Sequence, residues 1–138
     1  MNGLVFYRGE YHLFAQHCLT PQVSYPDTHW GHAISRDLVH WEETDPALAP
    51  DSDGAMFSGS AVVDWDNTSG LQSGMEHVLA AFYTGARYML PDNRPAVIAL
   101  AYSNDKGRTW TKYVGNPVVE TITHYNRDPK VFWHAPTS

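Results

Sequence analysis

The sequence is short of cysteine, of basic charge and of helical periodicity, and each shortage excludes something. Cys18 is the one cysteine in 138 residues, so neither an internal disulfide nor a Cys-rich zinc site can form. Nine Lys and Arg stand against 15 Asp and Glu, for a net charge of −6. The basic residues are scattered singly. No basic face exists to displace counterions from nucleic acid, and no polybasic run exists to hold a membrane surface. Neither partner is expected. No apolar run approaches the ~20 residues of a membrane span. The first twenty residues include Tyr, Arg, Glu, His and Gln and do not read as a secretory leader. That slightly favours the cytoplasm and leaves secretion open through a leader upstream of Met1. No long segment carries apolar residues at i, i+3, i+4 and i+7, so helices are not expected.

What is present is aromatic and strand-like. Aromatic residues make up 13% of the chain, with eight Tyr, five Trp and five Phe. Such side chains fill β cores and also serve as stacking platforms for sugars. The length is that of one domain, so residues 1–138 are read as a single unit. Short apolar runs alternate with turn residues throughout. "LVFY" and "EYHLFAQ" flank Arg8-Gly9, a hairpin signal. "SAVVDW" precedes the turn cluster "DNTSG". "HVLAAFY" and "AVIALAYS" suit buried strands, and "WTKYV" and "KVFWH" follow. His29 and His32 are three apart, but Trp30-Gly31 between them and the strand-like run after them argue against a helical metal pair. No metal is expected.

Two features recur. "SRDLVHWE" from Ser35 and "SNDKGRTWTK" from Ser103, 68 residues apart, both read Ser-x-Asp, a short turn, then Trp. The second has the Asp-box form S-x-D-x-G-x-T-W, in which Asp caps a tight turn, Gly supplies positive φ and Trp packs beneath the hairpin. "GLVFY", "SAVVD" and "PKVFW" also repeat, with Val5, Val62 and Val131 spaced by 57 and 69 residues. An all-β repeat of that size predicts blades of a β-propeller rather than the alternative β-sandwich.

In a propeller the innermost strands line the central channel, so the residues leading into them converge at one mouth. Here those lead-ins are "MN", "FSGS" and "NRDP". They carry Asn2, Ser58, Ser60, Arg127 and Asp128, polar groups that an ordinary core would not select, and they form the candidate site. Arg127 beside Asp128 reads either as a structural ion pair or as a carboxylate placed to accept hydrogen bonds from neighbouring sugar hydroxyls. Pro129 restricts φ at the strand start.

Five stretches in order, "NGLVFYRGEYHLFAQH", "HWGHAISRDLVHWEETDPALAPD", "FSGSAVVDWDNTSG", "AYSNDKGRTWTKYVGNPVV" and "RDPKVFWH", resemble glycoside hydrolase family 32, the invertases, sucrose-6-phosphate hydrolases, levanases and inulinases. The resemblance covers the whole chain. It implies a five-bladed catalytic propeller, of which these residues would supply about two blades and the first strand of a third. It also implies retaining hydrolysis of β-fructofuranosidic bonds without metal or organic cofactor, on a fructose-containing sugar. Gln16 matches a glutamine that contacts the fructosyl ring. Phe57 and Ser58 match the F-S-G-S residues lining the same pocket. Arg127 and Asp128 match R-D-P, where the Asp stabilises the transition state. Asn2-Gly3 resembles the end of W-M-N-D-P-N-G, whose Asp is the nucleophile. On this resemblance that Asp would lie just upstream of Met1, or Met1-Asn2 is the motif's own M-N with D-P-N deleted, and the acid/base Glu of an E-C motif would lie beyond Ser138. In place of the family's Trp before H-W-G-H the loop reads "CLTPQVSYPDT", with Tyr25 or Ser24 nearby, which leaves that aromatic contact open. On this resemblance the chain is an internal piece of a larger enzyme, inactive alone, with open sheet edges that favour association. Glu42 and Glu43 are expected in solvent rather than in catalysis. The competing readings are a non-catalytic carbohydrate-binding module or pseudoenzyme, an arabinanase-type furanosidase and a sialidase.

Overall fold

The computed structural model describes residues 1–20 and 25–134. Eight strands form two four-stranded antiparallel sheets, each strand pairing with its neighbours in chain order. The first sheet holds β1 (Asn2–Tyr7), β2 (Glu10–Cys18), β3 (Thr28–Ser35) and β4 (Trp41–Leu48). The second holds β5 (Ala55–Asp64), β6 (Val78–Ala86), β7 (Val97–Ser103) and β8 (Thr111–Lys112). Among the described residues the helical content is two single 3-10 turns, Tyr25–Asp27 and Arg87–Met89.

Turn chemistry explains the meanders. Arg8 and Gly9 both take positive φ, 51° and 86°, and Tyr7 pairs with Glu10 across them. That is the primed two-residue turn whose twist matches the flanking strands. The two Ser-x-Asp stretches are the β3–β4 and β7–β8 connections, and they repeat each other atom for atom. Ser35 Oγ accepts from Leu38 N at 2.8 Å and Ser103 Oγ from Gly107 N at 2.9 Å. Asp37 Oδ1 accepts from the Val39 and His40 amides, and Asp105 Oδ1 from those of Arg108 and Thr109. The Trp41 and Trp110 indoles donate to the Leu38 and Gly107 carbonyls, three residues back in both. The second copy accommodates its extra residue with Lys106 and Gly107 both at positive φ.

The core lies between the sheets. Tyr7, Phe14 and Trp30 project from the first sheet, and Ala61, Ala81, Ala99 and Ala101 on the second leave room for them, with Met56, Leu79 and Tyr83 filling between. Large rings set against small residues interdigitate, as close packing requires. The apolar run of β6 has a second use. Its alternate residues Val78 and Ala80 join Leu100, with Val62, Phe82 and Tyr102 packed against them, on the face away from the first sheet. The innermost strands β1 and β5 approach closely. A Cβ on Gly3 (φ 53°) would sit 3.0 Å from both the Cβ and the backbone nitrogen of Ala61.

Two expectations need correction. Among the described residues "KVFWH" pairs in no strand ladder, so the expected first strand of a third blade is not formed there. The segment lies along β5 instead, tied through one side chain. Ser60 Oγ donates to Pro129 O at 2.9 Å and accepts from Val131 N at 2.9 Å. Val131, Phe132 and Trp133 line an apolar cavity there with Val62, Phe82 and Leu100. "WTKYV" likewise contributes only Thr111–Lys112 as strand. His29 and His32 diverge: His29 Nδ1 lies 2.8 Å from Asp27 O, whereas His32 turns into the core beside His12.

Candidate functional site

The site is built on an irregularity in β5. Phe57 pairs with Thr84 and Gly59 with Tyr83, so Ser58 is the extra residue of a β-bulge. Gly59 permits it: a Cβ there would lie 1.9 Å from Phe82 O. Both carbonyls of the bulged pair are held. The Trp30 indole, fully buried, donates to Phe57 O at 2.9 Å. The Thr84 hydroxyl, also fully buried, donates to Ser58 O at 3.0 Å. These ties turn the Ser58 side chain towards β2, where its hydroxyl meets Gln16 Oε1 at 3.5 Å.

Asp128 arrives at the same place from the far end of the chain. Its amide donates to Thr84 Oγ1 at 3.0 Å, so one hydroxyl links the backbones of Ser58 and Asp128. Asp128 takes φ 60°, a left-handed conformation that Asp tolerates better than most residues. The Asp128 side chain remains 61% exposed. Arg127 Nε stands 3.8 Å from its carboxylate and is itself 55% exposed. An ion pair that long and that solvated adds little to stability. The pair is therefore no structural clamp, and both heads face solvent.

The remaining predicted residues fall around this point. Asn2 is buried at the start of β1, opposite Phe14, and its Nδ2 has no hydrogen-bond partner. Among the described residues His12, His77, Tyr83, Tyr88 and Asn126 also carry buried polar atoms of this kind. Phe57 is half-buried and meets the Tyr88 ring edge-on, with centroids 6.1 Å apart. Tyr88 in turn contacts Tyr125 at 5.1 Å. Ser60 differs from the expectation: with both its bonds made to the 129–131 segment, it is a fastener and not part of the cup. Ser24 and the side chain of Tyr25 lie outside the described residues. Trp30 and Thr84 join the site only through long-range bonds, to Phe57 O and to Ser58 O and Asp128 N. The available signal for Thr84 was a single polar residue closing the apolar run "HVLAAFYT".

Most other acidic groups have structural partners. Arg108 binds Glu10 at 2.7 Å and holds its carboxyl below the usual range, with Arg36 assisting. Tyr7 donates to Glu76, whose carboxyl is lowered by that bond and by Lys106. Asp53 pairs with Arg87 and Asp51 with Lys112. Partial burial works to raise the Asp64 carboxyl, but bonds from Ser69 and Thr68 outweigh it and lower the pKa. Glu42 and Glu43 are exposed on β4.

Gln16 thus lies near the Ser58 hydroxyl, and Thr84 ties the Ser58 and Asp128 backbones together; with that geometry in hand, the comparison with known proteins is decisive. Residues 1–138 match the family model for the Glycosyl hydrolases family 32 N-terminal domain. The chain belongs to glycoside hydrolase family 32. It is 54% identical over 135 residues to a levanase from Bacillus subtilis, covering 96% of this chain and 19% of that protein. It is 39% identical over 143 residues to an invertase from Debaryomyces hansenii, of which it spans 26%. Among solved structures, a β-fructofuranosidase from Schwanniomyces occidentalis complexed with fructosyl-erythritol superposes with a TM-score of 0.85 at 39% identity. That match covers 96% of this chain and 26% of the other. An exo-inulinase from Aspergillus awamori superposes with a TM-score of 0.82 at 40% identity, over 96% of this chain and 30% of that one. The fold is thus part of a family 32 propeller, and the chain spans about a quarter or less of the curated relatives cited here.

Proposed function

We propose that these residues form the fructosyl-holding part of a retaining β-fructofuranosidase acting on sucrose, phosphorylated sucrose or fructans. The observation that supports the reading is the Ser58–Thr84–Asp128 linkage, which ties two sequence-distant motifs together and leaves the Asp128 carboxylate in solvent. In this reading Gln16, Ser58 and the unpartnered Asn2 amide bind ring hydroxyls, and Phe57 supplies an apolar wall. Asp128 accepts hydrogen bonds from neighbouring hydroxyls of the fructosyl ring. Those bonds strengthen as the ring gains positive character, so the carboxylate favours the transition state over the ground state. Arg127 lies beside the carboxylate, its Nε 3.8 Å from Asp128, and adds a second polar head at the same point.

Retaining hydrolysis also needs two carboxyl groups about 5–5.5 Å apart, one to attack the anomeric carbon and one to protonate the leaving oxygen and then activate water. We assign neither role to an acid of this chain, so the 138-residue chain binds the sugar and does not cleave it. A fructose-release assay with sucrose, inulin and levan tests this. No release above background is expected, and turnover by the purified chain would contradict the assignment.

The second reading, a carbohydrate-binding module, is favoured by the same half-site. It differs in physiological role and not in the contacts: it requires saturable sugar binding that persists without any catalytic partner.

A further inference from the structure

We propose that Thr84 is a positioning residue, whose hydroxyl sets the left-handed backbone of Asp128 and thereby aims its carboxylate into the cup. The proposal rests on the fructosyl-holding reading for its consequence in binding, but the backbone clamp is measurable without it.

The geometry assigns the role to one oxygen atom. Thr84 lies near the end of β6, fully buried, opposite Phe57 at the edge of the bulge. A hydroxyl has one hydrogen to donate and can accept as well. Here it donates to Ser58 O and accepts from Asp128 N, both at 3.0 Å, so both capacities are in use with a fixed direction. The Asp128 amide makes its bond to this side chain and not to a backbone carbonyl. Asp128 holds φ 60° where the chain turns from the loop into Pro129. Proline at 129 disfavours right-handed helical backbone at the residue before it. Left-handed φ at a non-glycine residue persists only where surrounding bonds determine it. The Thr84 bond is the one described contact on the Asp128 amide, and Ser60 fixes the chain immediately after it through Pro129 and Val131. The Arg127 pair, long and solvated, cannot supply that constraint. The Thr84 methyl group is not what the role requires; the hydroxyl is. Serine should therefore serve, and isosteric valine should not.

The test uses nuclear magnetic resonance on the protein, on Thr84→Val and on Thr84→Ser, with D-fructose as the titrant. In the unsubstituted protein the Asp128 amide should exchange slowly, with the strong intraresidue amide–Hα contact of a left-handed residue. Thr84→Val should speed that exchange about tenfold or more, weaken the contact and weaken fructose binding by about tenfold, the loss of roughly one hydrogen bond. Thr84→Ser should keep all three within about twofold of the original. An unsubstituted Asp128 amide that exchanges as freely as a solvated one overturns the proposal, and this measurement decides it even if Thr84→Val does not fold. So does a folded Thr84→Val with unchanged Asp128 signals, or Thr84→Ser behaving like Thr84→Val. If the Asp128 signals respond as stated while no variant binds fructose, the clamp stands and the fructosyl-holding reading fails.

Discussion

The Trp30 indole donates to the Phe57 carbonyl at 2.9 Å, joining the third strand of the first sheet to the bulge in the innermost strand of the second. One buried bond thus couples inter-sheet packing to the shape of the site, because the Trp30 ring also meets Phe14 at a tilt and Tyr83 edge-on in the core. Replacing it with phenylalanine keeps much of the apolar area and strands the Phe57 carbonyl. Trp30→Phe should lower the unfolding free energy by about 1–3 kcal/mol and weaken fructose binding together. Urea unfolding and a fructose titration check the two effects.

Gly59 should tolerate no side chain at all. An alanine Cβ would overlap Phe82 O at 1.9 Å, and relief requires the β5–β6 pairing to separate. Gly59→Ala should cost about 3 kcal/mol or more, at the upper end of overpacking effects. Gly9→Ala, at an open hairpin tip, provides the contrast: its strain is from φ 86° alone. Comparing the two unfolding midpoints separates steric overlap from backbone strain.

The buried histidines should make the fold acid-sensitive. His12 Nδ1 lies 3.1 Å from His32 Nε2, and His32 Nδ1 lies 2.9 Å from the Thr44 hydroxyl. Burial lowers the His32 pKa to about 4, with His12 and Arg108 adding to the effect. Burial also lowers His12, Arg108 assists, and Glu10 opposes. Both groups therefore bind protons more readily unfolded, near pH 6.5. Their contribution is complete above that pH and is lost as pH falls towards 4. For His32 the full loss is on the order of 3 kcal/mol. Urea midpoints should fall between pH 6.5 and 4.5, and His32→Asn should show a shallower slope over that window.

The two Ser-x-Asp turns should not be equal in weight. Each Asp takes a further side-chain bond, Asp105 from the Thr109 hydroxyl and Asp37 from His40 Nδ1, but Trp110 packs against the core beside Phe14. The Asp37 turn is exposed, with Trp41 at its edge. Asp105→Ala should cost about 1–2 kcal/mol, comparable to losing a helix cap. Asp37→Ala should cost less. Thermal unfolding of the two variants settles the order.

Apolar surface on both outer faces should make the 138-residue chain associate. Leu4 and Phe6 are about half exposed on β1, and Trp65, Phe132 and Trp133 more so beyond β5. Exposed apolar clusters of this kind mark contact surfaces. Sedimentation should show concentration-dependent assembly, and a monomer at high concentration would contradict it.

Much of this architecture was legible because it is local. Arg8-Gly9 names its own turn, and Ser103, Asp105, Gly107 and Trp110 specify theirs within eight residues. The expectation that Gln16, Ser58 and Asp128 share a site rests on recurrence and resemblance, and the structure adds the links from Gln16 to Ser58 and, through Thr84, from Ser58 to Asp128. What sequence reading missed depends on partners distant in the chain. Ser60 looked like a site residue because nothing local shows that its hydroxyl meets residues 129–131. Thr84 and Trp30 act through bonds across 44 and 27 residues, a separation no periodicity encodes. "KVFWH" has strand composition, but composition cannot supply the neighbouring strand a ladder needs.

The most direct measurement is a fructose titration of the isotope-labelled chain, followed residue by residue. Saturable shifts should appear together at the Gln16 side-chain amide and at the backbone amides of Ser58 and Asp128, with the Asn2 side-chain amide joining them. Saturable binding that leaves Ser58 and Asp128 unmoved, or no binding at all, would contradict the account.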